Sequence, residues 1–381
     1  MNKIIPFNKP YITNEELNYI KKVFANKNNN LEFGYQGKFS NLCCDEIKKI
    51  TKSKNVLLTS SCTGALEIIS KSIKIQKGDE VIIPSYNFVS SVDAFLGSDA
   101  KIVFCNVNKN FVLDLKDLKS KITKKTKAIV LVHYNGNSVD FDELKKILKN
   151  KKRIIVIEDA AAALGSMYKN KFLGTLGDFG CYSFHESKNI HCGNGGALLV
   201  NNKKFIKNTK LIWHRGTNRE AFDKKIINRY EWVAEGKSSH ISELQAAFLL
   251  AQLKNFKKNL KQKKNIFYQY FNKLTQYDKY FSLPIINKKN KSNFHTFFLV
   301  IKNQRERQKF IKFMNKNFIQ AVGHYEPLHT SIIGKKIYKK KDLFSTYDLS
   351  KRIVRLPNYY SINKKQIDFV IKKTIEYFKI D

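Results

Sequence analysis

The 381-residue chain lacks most marks of a secreted, membrane-bound or metal-clustered protein. It has no run of about 18 apolar residues, so no membrane-spanning helix is expected. The opening MNKIIPFNKPYITNEEL contains no apolar stretch and no small-residue cleavage site, so no signal peptide is expected. Cysteines are few: Cys43, Cys44, Cys62, Cys105, Cys181 and Cys192, with no CxxC spacing. A disulfide framework or metal site is therefore not expected, and a reducing cytoplasm suits the chain. Acidic residues are scarce, with 32 Asp and Glu against 70 Lys and Arg, a formal net charge of +38. The excess is mostly lysine, scattered along the whole chain. No zinc-finger spacing, RNP pattern or basic region with heptads accompanies it, so solvated surface explains it better than a nucleic-acid or membrane partner. The positive field would still draw in an anionic nucleotide.

What is present is apolar mass. Hydrophobic residues make up 43% and aromatics 13%, with 28 Phe, which excludes wholesale disorder. The length suggests two domains. VLLT (56–59), VIIP (81–84), KIVFC (101–105), AIVLVH (128–133), RIIVIE (153–158), GCYSF (180–184) and GALLV (196–200) read as strands buried on both faces. Helical patterns such as 63–75 and 140–150 alternate with them. This predicts an α/β domain with a mainly parallel sheet, whose ligands sit at the carboxyl ends of strands. Residues 60–64, 84–88, 158–161 and 185–188 fall at those ends. ISELQAAFLLAQLKNFKKNL predicts one long helix leading to a smaller α+β domain, giving domains at 1–250 and 251–381.

Four segments carry the chemistry. EDAA (158–161) ends a strand with two acids, although Asp159 could equally be a helix N-cap. FGCYSFHESKN (179–189) leads from Ser183 to Lys188 ahead of the glycine-rich GNGG, which allows backbone to approach a ligand closely. TSSCTGAL (59–66) opens a helix with small residues and suits a phosphate, or is simply a cap. PSYNFVSS (84–91) places Phe88 past a strand, where it could stack on a flat ring or belong to the core. Together they meet the needs of pyridoxal phosphate: an anion site, a stacking face, a carboxylate for the pyridine nitrogen and a lysine for the aldehyde.

With IPFNKPYIT, LLTSSCTGALE, GDEVIIPSYNFVSS, VHYNG, HRGTNR, SELQAAFLLAQL and HYEPLH, these segments span nearly the whole chain. The chain resembles the DegT/StrS-type nucleotide-sugar aminotransferases, of the aspartate-aminotransferase-like, fold type I pyridoxal phosphate enzymes. The resemblance implies that Lys188 binds the cofactor and that Asp159 pairs with its ring nitrogen. Phe88 would lie over the ring, and Cys62, Thr63, Gly64 and Ser183 would hold the phosphate. It implies a homodimer with shared sites, in which Ser238 reaches the neighbouring subunit's phosphate. His324, Tyr325 and His329 match a substrate-side loop, although HYEPLH could also be a packed turn, and His185 reads as a structural histidine. FHESKN, RGTNR and HYEPLH are most similar to enzymes forming dTDP-4-amino-4,6-dideoxygalactose from the 4-keto sugar with glutamate as donor. Alternatives are 3-keto-sugar amination and sugar dehydration, but dehydrating relatives replace the lysine with histidine. A non-catalytic basic nucleic-acid binder is a more distant alternative. Two positions depart from the family: Ala162 where glutamine is usual, and Asn194 where an acid is usual.

Overall fold

The computed structural model describes residues 4–25 and 33–379. Each of the seven apolar runs forms a strand: β1 (Val56–Thr59), β2 (Glu80–Pro84), β3 (Lys101–Cys105), β4 (Thr126–Val132), β5 (Ile155–Asp159), β6 (Phe179–Ser183) and β7 (Gly196–Val200). They build one sheet in the order β1-β7-β6-β5-β4-β2-β3. The pairs from β6 to β3 are parallel. Strand β7 runs antiparallel to both of its neighbours.

Side chains alternate between two cores. Val81, Ile83, Val130, Ile157 and Leu198 pack on one face, and Ile82, Ile129, Leu131, Tyr182 and Leu199 on the other. Both faces are covered, which is why these strands read as continuous apolar runs. Each fully buried Val, Leu or Ile contributes about 1.5–3 kcal/mol relative to an exposed one.

The expected long helix is two helices, Glu243–Lys254 and Phe256–Leu274. The first carries buried residues on every side and packs into the large core. The second is amphipathic and packs into another core. The chain changes partner at Asn255, whose amide side chain donates to the Ala251 carbonyl at 3.1 Å. Beyond it, β8 (Phe281–Ser282), β9 (Phe297–Ile301) and β10 (Ile353–Leu356) form a three-stranded antiparallel sheet. Helices Gln304–Lys316 and Lys364–Lys379 cover it. Ile5 joins this C-terminal core, not the large one, and its amide donates to the Phe318 carbonyl at 2.9 Å. A third small sheet pairs Met167–Tyr168 with Lys171–Phe172 and Asn290–Lys291; two-residue strands carry no periodicity to read. Among the described residues no helix is long and apolar enough to cross a membrane.

Candidate active site

The turn after β1 starts the helix Cys62–Ser72. Ser61 caps it by accepting from the Gly64 amide at 3.0 Å. The Gly64 amide is therefore engaged within the chain, and among the described residues the amides of Cys62 and Thr63 have no backbone acceptor outside the helix, leaving them as first-turn donors at its positive end. Gly64 also has a packing reason: a Cβ there would lie 1.8 Å from Ser239 Oγ. The Thr63 hydroxyl donates to Ser90 Oγ at 2.8 Å. Gly196 of GNGG has a packing role within the chain. A Cβ on Gly196 would meet the Ser61 backbone at 2.4 Å, so the close approach is between β7 and this turn.

The acid pair ends β5, and strand alternation sends its members to opposite faces. Glu158 is fully buried and accepts from the amides of Gly174 (2.7 Å), Leu176 (2.6 Å) and Gly177 (2.6 Å). It also bonds His133 Nε2 at 2.8 Å. Asp159 is 6% exposed; it accepts from the Ala161 amide at 3.1 Å and from the Ser91 hydroxyl. Its carboxylate reaches a cavity of about 300 Å³.

That cavity lies at the carboxyl ends of the strands. Cys62, Thr63, Phe88, Asp159, Ser183 and Lys188 all line it. Lys188 is half-buried, and its Nζ has no hydrogen-bond or ion-pair partner among the described residues. Phe88 is 55% exposed, its ring turned to open space and 6.2 Å from that of Tyr325. A free amine, a carboxylate, an unpacked aromatic face and a helix N-terminus around one space fit pyridoxal phosphate. Cys62, Asp159 and Cys181 also bring ligand atoms within 4.8 Å of one another. Burial pushes the Cys181 thiol well up.

The DegT/DnrJ/EryC1/StrS aminotransferase family model matches residues 10–374. The chain belongs to that family and is an aminotransferase. It is 27% identical to GDP-perosamine synthase of Escherichia coli O157:H7 over 380 residues, 99% of each chain. Its fold is that of Helicobacter pylori PseC, an aminotransferase involved in the biosynthesis of pseudoaminic acid, with TM-score 0.89 and 23% identity over 100% of both chains. The PLP form of Spr1654 from Streptococcus pneumoniae gives TM-score 0.89 at 22% identity, over 99% of this chain and 100% of that one.

Not every expected residue of the aminotransferase lies in the cavity. Tyr325 lines it. His324 stands one step behind, its ring stacked on Tyr325 at 5.6 Å and its Nδ1 3.4 Å from Arg355. Burial, and then Arg355, lower its pKa. His329 ties the same loop to the end of β2, with Nδ1 2.6 Å from Ser85 Oγ. Ser238 is exposed and accepts from Arg215 Nε at 3.2 Å, away from this chain's cavity. His185, read as structural, is exposed and lines the cavity; among the described residues its ring bonds within its own turn, to Ser187 at 2.9 Å. Ala162 and Asn194 line the cavity too. Sequence reasoning missed Ser91, the partner of Asp159, although PSYNFVSS contains it, and it missed Tyr134, an aromatic of the cavity wall.

Proposed function

We propose that this aminotransferase transfers an amino group from glutamate to C4 of a nucleotide-linked 4-keto-6-deoxy sugar, with dTDP as carrier, using pyridoxal phosphate in the cavity described above. The observation that carries the reading is the partner-free Lys188 amine sharing one cavity with the Asp159 carboxylate. When bound, pyridoxal phosphate supplies an aldehyde that takes up amines and a ring that stores the electrons of an ionised C–H bond. Lys188 Nζ would hold the cofactor through its aldehyde and would carry protons to and from the reacting carbon. Asp159, with Ser91 and the Ala161 amide fixing its carboxylate, holds a proton on the ring nitrogen. Phe88 packs on the ring face. The amides of Cys62 and Thr63 and the hydroxyl of Ser183 hold the phosphate. Ala162 lines the cavity and offers no side-chain donor there. Tyr325 faces the sugar, and His324 and His329 brace its loop.

The working unit is a homodimer in which Ser238 completes the neighbouring subunit's phosphate site. Support comes from the large apolar side chains Ile226, Trp232 and Val233, all exposed in the segment leading to Ser238. Residues 1–250, apart from the first strand-like residues around Ile5 that pack with the C-terminal core, form the cofactor-binding unit and 251–381 the smaller one. Six free cysteines favour the cytoplasm. The full-length likeness to a GDP-perosamine synthase supports a nucleotide sugar as substrate. The test is incubation with pyridoxal phosphate, glutamate and a panel of dTDP-, UDP- and GDP-linked 4-keto-6-deoxy sugars. A dTDP product carrying a C4 amine, by mass and NMR, is expected. Amination at C3, or of none of the panel, overturns the reading.

A further inference from the structure

His185 and Lys188 stand at the two ends of one turn, which the Lys188 amide closes by donating to the His185 carbonyl at 2.9 Å. The Glu186 amide donates to the Gly193 carbonyl at 2.9 Å, so the turn is fastened to GNGG as well. The His185 amide donates to Ser183 Oγ at 3.3 Å, which ties the turn to the end of β6. Both His185 and Lys188 line the cavity. Lys188 has a part in the reaction proposed above, and the imidazole does not.

The chain fixes which imidazole nitrogen carries hydrogen. The Ser187 backbone amide donates to His185 Nδ1 at 3.2 Å, and the Ser187 hydroxyl lies 2.9 Å from the same atom. A ring nitrogen that accepts an amide hydrogen holds a lone pair, so the hydrogen sits on Nε2 and the ring is neutral. This Nε2–H has no acceptor among the described residues. Other hydroxyls of the wall are already engaged, Thr63 with Ser90 and Ser91 with Asp159. His185 is thus an unused donor on the cavity wall, held in one orientation.

Such a donor suits one class of acceptor. Anionic oxygens of a carboxylate or a diphosphate are matched by charged donors, and a neutral N–H is matched by a neutral hydroxyl or ketone oxygen. We propose that His185 is a substrate-binding residue whose Nε2–H donates to a sugar oxygen of the nucleotide-linked substrate. The contacts from Ser187 hold the ring before the substrate arrives, so little side-chain freedom is lost when the bond forms. The inference rests on the transamination reading above and deepens it by naming a residue that holds its sugar.

The test uses the full-length protein loaded with pyridoxal phosphate, as wild type, His185→Phe, which removes the donor, and His185→Gln, which keeps an N–H of similar reach. dTDP-, UDP- and GDP-glucose and the three bare nucleoside diphosphates are titrated by calorimetry. Glutamate is titrated by its effect on the visible absorption band of the cofactor. His185→Phe should weaken the nucleotide sugar that the wild type binds by about three- to tenfold, the worth of one neutral hydrogen bond, and leave the matching diphosphate unchanged. His185→Gln should recover most of that loss. The starting band, the glutamate titration and the melting temperature should stay as in the wild type. Equal weakening of sugar and bare diphosphate overturns the proposal and assigns the imidazole to the diphosphate. An unchanged sugar affinity in His185→Phe, or a change confined to the glutamate titration, also overturns it and leaves transamination standing. A lowered melting temperature or an altered starting band in His185→Phe gives the ring a structural role and overturns it as well. A wild type that binds only the UDP or GDP sugar defeats the dTDP reading, and that sugar still decides His185. A wild type that binds none of the three sugars overturns both readings.

Discussion

Glu158 and Asp159 are adjacent in β5, and their surroundings differ in one respect that decides their roles. On one face of the sheet, Glu158 accepts three amides and bonds His133, which uses its lone pairs up. On the other, Asp159 accepts one amide and one hydroxyl and still faces open space. A carboxylate with all its acceptor capacity engaged is a fixed part of the fold. One with capacity to spare, at a strand end, is available to a ligand. The same distinction separates Lys121, which pairs with Asp117 and Asp342 at 3.3 and 3.2 Å, from the unpaired Lys188.

The largest test of this contrast is Lys188→Ala. Transamination should fall roughly a thousandfold or more, and borohydride should no longer fix cofactor to the protein, as read by mass spectrometry. Full activity in this variant would remove the basis of the site. Next is Asp159→Asn, which should lower kcat about a hundredfold while leaving the melting temperature nearly unchanged. Glu158→Gln should do the reverse. Replacing a buried charged acceptor should cost about 2–3 kcal/mol in denaturant melts, with turnover per folded molecule kept. If the two variants behave alike, the contrast between the faces fails.

Lys263 sharpens the comparison through pH. Its folded value of about 7 lies below the ordinary 10.5, so between those values the unfolded chain holds a proton that the folded chain has released. Stability should therefore rise from pH 7 to 10 in the wild type relative to Lys263→Met, in urea melts at both pH values. A parallel response in the two proteins would show that the amine is not buried unpaired. The smallest effect is expected of Phe88→Leu: a loss of about threefold in cofactor affinity by fluorescence titration, with no change in melting temperature, because the ring is largely outside the core.

The strands were readable because burial on both faces demands continuous β-branched runs, and the motifs were readable because they sit at the ends of those runs. The antiparallel direction of β7 was not, since an apolar run carries no polarity. The break at Asn255 was hidden because Leu, Phe and Lys, good helix formers or helix-compatible residues, stand on both sides of it. Within the site, Lys188, Asp159 and Phe88 stood out by residue type and position. Ser91 and Tyr134 did not, because serine and tyrosine are common in any turn. Lys263 was one cation among 70 until its surroundings were known.

The sequence by itself determined which segments become strands and which reactive side chains stand at their ends, because period and composition are local properties. Only the tertiary structure decided which of two neighbouring acids is left open, which histidines brace a loop and which face the cavity, and which buried cation has no acid beside it. Those outcomes depend on residues far apart in the chain, and partnership in space has no period to read.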